Sequence, residues 1–362
     1  MDAPSDGKRL FCSRPFENLD ITTPLNVVAP DRRGTAYLCC PKWLPVSIGN
    51  IRTSPVADVW NGETARRLRR SILDGSFQYC TKLCPFLQTK SGPVQTADSV
   101  TDERLRDIIQ NNRDTVPEGP ETVNAAFDRS CNLSCPSCRT EHIIEAQSQS
   151  DIEALQRRLE SETFDNLRTL FISGSGDAFG SPFFLRWLRT LKVPKHPKLR
   201  IHVQTNAQLW TAQIWAKIPP EVQERMASAE ISIDAASGPT YALNRRGGDW
   251  STLLNNLEFI AGLRARGPLT FLQLDMVIQD NNFAEMPAFV ELGKRYGADR
   301  VFFTHLTNWN TFSPEELLQR SVHLPVHARH RDLLSVLHDP ILDHPIVNMG
   351  NLTSLREAAE SL

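Results

Sequence analysis

The chain has 362 residues, 40% of them hydrophobic and 23% charged, with a formal net charge of -2. That supports one large domain and a small one, and the near-neutral balance gives no reason to expect nucleic acid or a membrane as partner. No apolar run reaches membrane-spanning length, and Met1-Asp2-Ala3-Pro4-Ser5-Asp6 is too polar for a secretory signal, so the eight cysteines read as reduced metal ligands of a cytoplasmic protein.

Five of the cysteines lie in the first ninety residues: Cys12, Cys39, Cys40, Cys80 and Cys84. Gly34-Thr35-Ala36-Tyr37-Leu38-Cys39-Cys40 reads as a hairpin strand after a turn. Ile48-Gly49-Asn50-Ile51 follows, then Asp58-Val59-Trp60-Asn61, a basic helix from Glu63 to about Asp74, and Cys80-Thr81-Lys82-Leu83-Cys84-Pro85. Four thiolates could hold a structural zinc or an iron–sulfur cluster; zinc modules usually show two short Cys-x2-4-Cys knuckles, and only one is present. Neighbouring strand residues point to opposite faces, so Cys39 and Cys40 do not both serve one site.

Residues 91–120 contain Pro93, Pro117 and Pro120 and read as a linker carrying one helix, 102–111, behind the caps Ser99 or Thr101. An apolar strand, 122–127, then leads into Cys131-Asn132-Leu133-Ser134-Cys135-Pro136-Ser137-Cys138. Pro136 and Ser137 keep this segment out of regular helix, so three thiols converge from one loop. Soft thiolates select zinc, Cu(I) or iron–sulfur clusters; zinc would need a fourth ligand nearby, whereas a cubane held by three leaves one iron open.

From Glu121 onward, apolar strands at 168–172, 200–205, 229–234, 269–278 and 300–305 alternate with helical patterns such as 152–162 and 250–264. Such alternation predicts parallel βα units. Three strands carry one polar face each: His202, Gln204 and Asn206; Glu230, Ser232 and Asp234; Gln273 and Asp275. With helices over the apolar faces, the polar faces line a wet interior. Ser173-Gly174-Ser175-Gly176-Asp177 follows the second of the six strands, where glycine lets backbone approach a ligand. Arg245, with Arg246 as rival, has the planar fork that grips a carboxylate. His305 and Trp309 follow the last strand, where substrate contact and packing are both open readings. His323, His327, His330, His338 and His344 lack regular spacing and read as solvated or packed. Residues 313–362 are expected to form a helical extension.

The CxxxCxxC loop after a first strand resembles that of radical S-adenosylmethionine (SAM) enzymes. The first ninety residues resemble the SPASM auxiliary-cluster module of that family, placed here before the barrel rather than after it. The resemblance implies an α/β fold: a SPASM-like domain at 1–90, a linker at 91–120, a partial (β/α)6 TIM-like barrel at 121–312, and the extension. It implies two [4Fe–4S] clusters, one on Cys131, Cys135 and Cys138 and one on Cys12, Cys39, Cys80 and Cys84. It also implies SAM on the open iron. Cys39 is preferred to Cys40 because it matches the family's position after the glycine turn. By the same resemblance Ser175, Gly176 and Asp177 stand for the motif that meets the SAM amino group, Ser232 and Arg245 for the pair that binds its carboxylate, and Asn206 lies near its ribose. Ser137 stands where relatives carry an aromatic residue against adenine.

The activity so implied is reductive SAM cleavage and hydrogen abstraction from substrate, fed by an electron donor such as flavodoxin or ferredoxin. Only eleven residues precede Cys12, too few for a leader-binding extension. The expected substrate is therefore a small polar metabolite that is epimerised or dehydrogenated. A modified ribosomal peptide is the alternative, and an iron–sulfur electron-transfer protein the third reading. Cys40, left over by both ligand sets, is either a packed residue or the hydrogen-atom donor of an epimerase.

Overall fold

A computed structural model describes residues 9–23, 33–82, 84–172, 174–193 and 198–359. It divides into two compact units. The first takes Met1–Asp128, Gln147–Phe171 and Lys192–Leu199; the second takes Arg129–Ala146, Ile172–Leu191 and Arg200–Leu362. The expected serial division cuts the chain elsewhere, since residues 91–128 here join the cysteine-rich unit.

In the first unit, strand β1 (Leu10–Cys12) leads through a one-turn helix to β2 (Asn18–Thr22), then β3 (Thr35–Tyr37) and β4 (Gly49–Asn50). Strand β5 (Val94–Thr96) pairs antiparallel with β1 and sets Cys12 opposite Val94. Strands β6 (Thr122–Ala126) and β7 (Thr169–Ile172) complete a sheet of order β4-β3-β2-β6-β7, with β2 parallel to β6 and antiparallel to β3. The hairpin turns on Gly34, at φ 83°: a Cβ there would meet Leu155 Cδ2 at 2.9 Å and Asn50 Oδ1 at 3.0 Å. Asn50 closes the turn by donating to Arg33 O at 2.9 Å and accepting from Arg52 N at 2.8 Å. Gly49 and Asn50 form the short strand β4, antiparallel to β3.

Helix Glu63–Leu73 puts Leu68, Ile72 and Leu73 inward. It also buries Arg69 completely, with its guanidinium 4.3 Å over the Trp60 ring. Arg69 Nε donates to Pro15 O at 2.8 Å and Trp60 Nε1 to Val116 O at 2.9 Å, which satisfies the indole, while Arg69 Nη2 has no hydrogen-bond partner among the described residues. Helix Glu103–Gln110 is capped by Asp102, whose carboxylate accepts from Leu105 N at 2.9 Å. Ser99 and Thr101, the expected caps, lie before it; a carboxylate at the N-cap also meets the positive end of the helix dipole.

The second unit carries β8 (Arg200–Thr205), β9 (Met226–Ser232), β10 (Phe271–Ile278), β11 (Arg300–His305) and β12 (Val347–Asn348), neighbours in that order and all parallel. Helices Trp250–Arg266 and Met286–Arg295 lie between successive strands. Along β8, β9 and β10 the residues Ile201, Val203, Ala229, Ile231, Leu272 and Leu274 are fully buried. Most of their polar alternates, His202, Gln204, Glu230, Ser232 and Asp275, stay half-buried. The extension is helical at Pro314–Arg320, His330–Leu337 and Thr353–Ala359, but β12 adds a strand to β11 that the sequence did not suggest. Among the described residues no helix is long and apolar enough to cross a membrane.

Candidate functional site

The CxxxCxxC loop opens the second unit. Cys131, Leu133 and Cys135 are buried together and Cys138 packs against them. The loop is pinned by backbone bonds from Cys131 N to Ile143 O (3.0 Å) and from Ser134 N to Arg246 O (3.0 Å). Arg246 is exposed and clips the loop from outside, donating from Nε to Ser134 Oγ and from Nη2 to Thr140 O, both at 3.1 Å. Arg245 faces inward.

Each of the three sulfurs receives an N–H. Leu133 N lies 3.4 Å and Asn206 Nδ2 3.6 Å from Cys131 Sγ; Arg245 Nη1 lies 3.8 Å from Cys135 Sγ; Arg139 Nη2 lies 3.4 Å from Cys138 Sγ. Burial pushes the Cys131 thiol up to about 12 and the Cys135 thiol up as well. Such thiols stay protonated by themselves and become thiolates when a cation binds them. Three soft ligands ringed by donors and two guanidiniums fit an iron–sulfur cluster, whose sulfurs accept such bonds.

The Asp177 carboxylate is taken up by groups of the protein itself. It is buried and accepts from Phe179 N (3.0 Å), Gly180 N (2.7 Å), Asn206 N (2.6 Å) and, through both oxygens, Thr205 Oγ1 (3.0 Å). The carboxylate ties the turn after β7 to the end of β8. Ser175 and Gly176 precede it on that turn, and the Ser175 carbonyl accepts from Arg139 Nη2 at 2.9 Å. Gly180 completes the junction: a Cβ there would stand 2.2 Å from Asn132 Oδ1 on the cysteine loop. Asn206 bonds the cysteine loop, donating to Asn132 Oδ1 at 3.0 Å as well as to Cys131. Arg139 and Gly180 were not singled out from the sequence.

Arg245 Nη2 pairs with Asp234 Oδ2 at 2.8 Å. Asp234 follows β9 at φ 58°, held there by Val277 N donating to Oδ1 (2.7 Å) and by Asn244 and Asn282 donating to its carbonyl (2.9 and 3.0 Å). Burial lowers Arg245, but Asp234 and the Cys135 thiol together hold it above its ordinary value, so it stays charged. Arg245 Nε is buried with no hydrogen-bond partner among the described residues. Ser232 ends β9 beside Asp275 of β10. Gln273 Nε2 donates to Asp275 Oδ1 at 2.7 Å; burial and neighbouring Glu230 push Asp275 well above the usual carboxylate range.

In the first unit Cys12, Cys39, Cys80 and Cys84 line one cavity walled by Trp43, Phe77 and other apolar side chains. Cys40 is outside that lining. Its thiol is bonded by the Lys42 backbone and pushed up by burial. Burial pushes Cys12 up to about 11 and Cys80 up to about 12. Four thiols lining one apolar pocket are the soft donors that an iron–sulfur cluster takes, while among the described residues no group of three or more ligands closes on a single metal ion. Thr81 N donates to Trp43 O at 2.8 Å and so ties the second cysteine pair to the segment after the first.

At the end of β11, His305 stacks on His323 (4.1 Å, 15°) and Trp309 is 45% exposed. Three histidines of the extension bond backbone carbonyls: His327 to Gln319, His330 to Val322, His338 to Leu334.

Residues 25–85 match the SPASM family, described as an iron–sulfur cluster-binding domain. No curated protein matches the chain. Among solved structures it is similar to Streptococcus suis SuiB bound to S-adenosylmethionine, at 14% identity over 70% of this chain and 57% of that one, with a TM-score of 0.43. It is similar to anSMEcpe with bound AdoMet and Cp18Cys peptide (16% identity, 63% and 62%, TM-score 0.40). TYW1 with a lysine-pyruvate adduct bound is a third (15%, 73% and 83%, 0.39). The chain spans between 57% and 66% of the length of the SuiB structures. The family match covers the cysteine-rich segment, which is thus similar to an iron–sulfur cluster-binding domain.

Proposed function

We propose that this protein is a radical SAM enzyme whose SAM cluster sits on Cys131, Cys135 and Cys138 and whose second cluster sits on Cys12, Cys39, Cys80 and Cys84. The observation that carries the reading is the gathering of three thiols from one loop, those of Cys131 and Cys135 buried and that of Cys138 half-buried, each facing an N–H donor, with Arg139 and Arg245 as counter-charges. Bound there, a [4Fe–4S] cluster supplies the electron that cleaves SAM to a 5′-deoxyadenosyl radical. The chain's own residues hold and orient. The free Nε of Arg245, with Ser232 nearby in sequence, takes the SAM carboxylate, and the turn Ser175-Gly176 offers backbone to its amino group. The parallel βα units support the partial barrel that the resemblance implies.

The half-buried polar row His202, Gln204, Glu230, Ser232 and Asp275 supports a small polar substrate. Dehydrogenation or epimerisation is the outcome favoured for it. In an epimerase Cys40 returns the hydrogen atom, its raised pKa keeping the S–H intact. A peptide substrate is the second reading, prompted by the SuiB structure bound to precursor peptide SuiA.

Anaerobic reconstitution tests the proposal. Two cubanes bring about eight irons per chain, and the reduced protein converts SAM to 5′-deoxyadenosine. Replacing Cys131, Cys135 and Cys138 by Ala together abolishes that conversion and leaves the other cluster. About four irons with one zinc would reject the auxiliary cluster, and SAM left intact by the fully loaded protein would reject the enzyme. Cys40→Ala keeps both clusters and SAM cleavage, and loses inverted product only if Cys40 is the donor.

A further inference from the structure

We propose that Arg139 is a positioning residue that holds Cys138 against the turn after β7 and sets the reduction potential of the cluster on the CxxxCxxC loop. The inference rests on the functional reading above and adds a residue to it. Arg139 directly follows the third cysteine, and it is only 7% exposed, unusual for arginine. Its fork makes three contacts: Nη1 donates to Arg129 O at 2.7 Å, Nη2 to Ser175 O at 2.9 Å, and Nη2 also reaches Cys138 Sγ at 3.4 Å. Two of these partners are carbonyls and one is a thiol; none is a carboxylate.

A buried cation without a counter-charge is costly. The sulfur that Arg139 touches, Cys138 Sγ at 3.4 Å, supplies that counter-charge as a thiolate, which is its state on a metal. One-electron reduction adds a negative charge to the cluster, and a cation touching one of its sulfurs stabilises that state more than the oxidised one. Arg139 thus raises the midpoint potential. The same guanidinium bonds the Ser175 carbonyl, so the cluster loop and the turn that faces the SAM amino group are fixed by one side chain. Arg245 cannot substitute, because its nearer bond is to Asp234.

The test is potentiometry of the full-length, reconstituted protein, following by electron paramagnetic resonance the reduced cluster whose signal changes when SAM is added. Arg139→Gln, which removes the charge, should load the same iron as the parent and shift the midpoint to more negative potential. Arg139→Lys, which keeps the charge, should stay near the parent value. An Arg139→Gln protein with full iron and an unshifted midpoint overturns the proposal. Failure of both variants to retain iron that the parent retains also overturns it, assigning Arg139 to folding alone. A parent with no cluster that responds to SAM refutes the functional reading itself, before the variants are compared.

Discussion

Asp177 separates two roles that the sequence merged. In the structure its carboxylate accepts three backbone N–H groups, of Phe179, Gly180 and Asn206, besides the Thr205 hydroxyl. Asp177→Ala leaves these three buried donors without an acceptor. At about 1–3 kcal/mol per buried unsatisfied group, softened by relaxation and water entry, the expected loss is about 3–6 kcal/mol. That is a large part of the ~5–15 kcal/mol by which a typical domain is stable. Asp177→Asn keeps one acceptor oxygen but turns an NH2 toward the donors, so its loss lies between. Urea unfolding followed by tryptophan fluorescence measures both, and Trp210 reports locally because it stacks 4.5 Å from Phe179. An Asp177→Ala protein that unfolds at the parent's midpoint and is merely weaker in SAM binding would refute the anchoring role and restore the carboxylate as a ligand group.

Two other measurements probe the same unit. Ala207 sits at φ 59°, a conformation that costs an L side chain roughly 1–2 kcal/mol. Ala207→Gly should therefore stabilise the protein by about 0.5–1 kcal/mol after the loss of one buried methyl and the looser unfolded chain; an unchanged or lower midpoint contradicts this. His323 is held down to about 4 by burial and by His305, His330 and His327. Its folded pKa lies below the unfolded value near 6.5, so the unfolded chain takes up the proton first as pH falls. The stability it contributes is complete above pH ~6.5 and is lost toward pH ~4, about 1–2 kcal/mol after discounting its partial exposure. Urea midpoints of the parent should fall over that range, and those of His323→Gln should fall less; identical slopes would exclude His323 as the source.

The strands of the second unit were legible because alternation survives there. Arg300–His305 and Arg200–Thr205 stand where the apolar-polar pattern put them. Strand β2 was not read from the sequence, although Asn18-Leu19-Asp20-Ile21-Thr22 alternates; in the structure it pairs with β3 and β6, and Asn18 and Asp20 are buried along with Leu19 and Ile21, so its polar residues mark no solvent face. The cap at Asp102 was missed by one residue, the usual margin for a helix end.

The site residues divide along a different line. The cysteines were legible because spacing on one loop is local information and thiol chemistry is narrow. What each neighbouring side chain does was not, because it depends on contacts far along the chain. Asp177 gives the right charge in the expected turn, yet Thr205 and Asn206, 28 and 29 residues on, take up that charge. Asn206 points to the cysteine loop because Asn132 and Gly180 leave it a place there. Arg245 and Arg246 look alike in sequence, but the strained backbone of Asp234 aims a carboxylate at the first, while Ser134 and Thr140 take the second. With Nη2 on Asp234, Nη1 toward Cys135 and Nε unbonded, Arg245 is held by its inner edge. Asp234 thereby keeps the guanidinium charged and fixed beside Cys135.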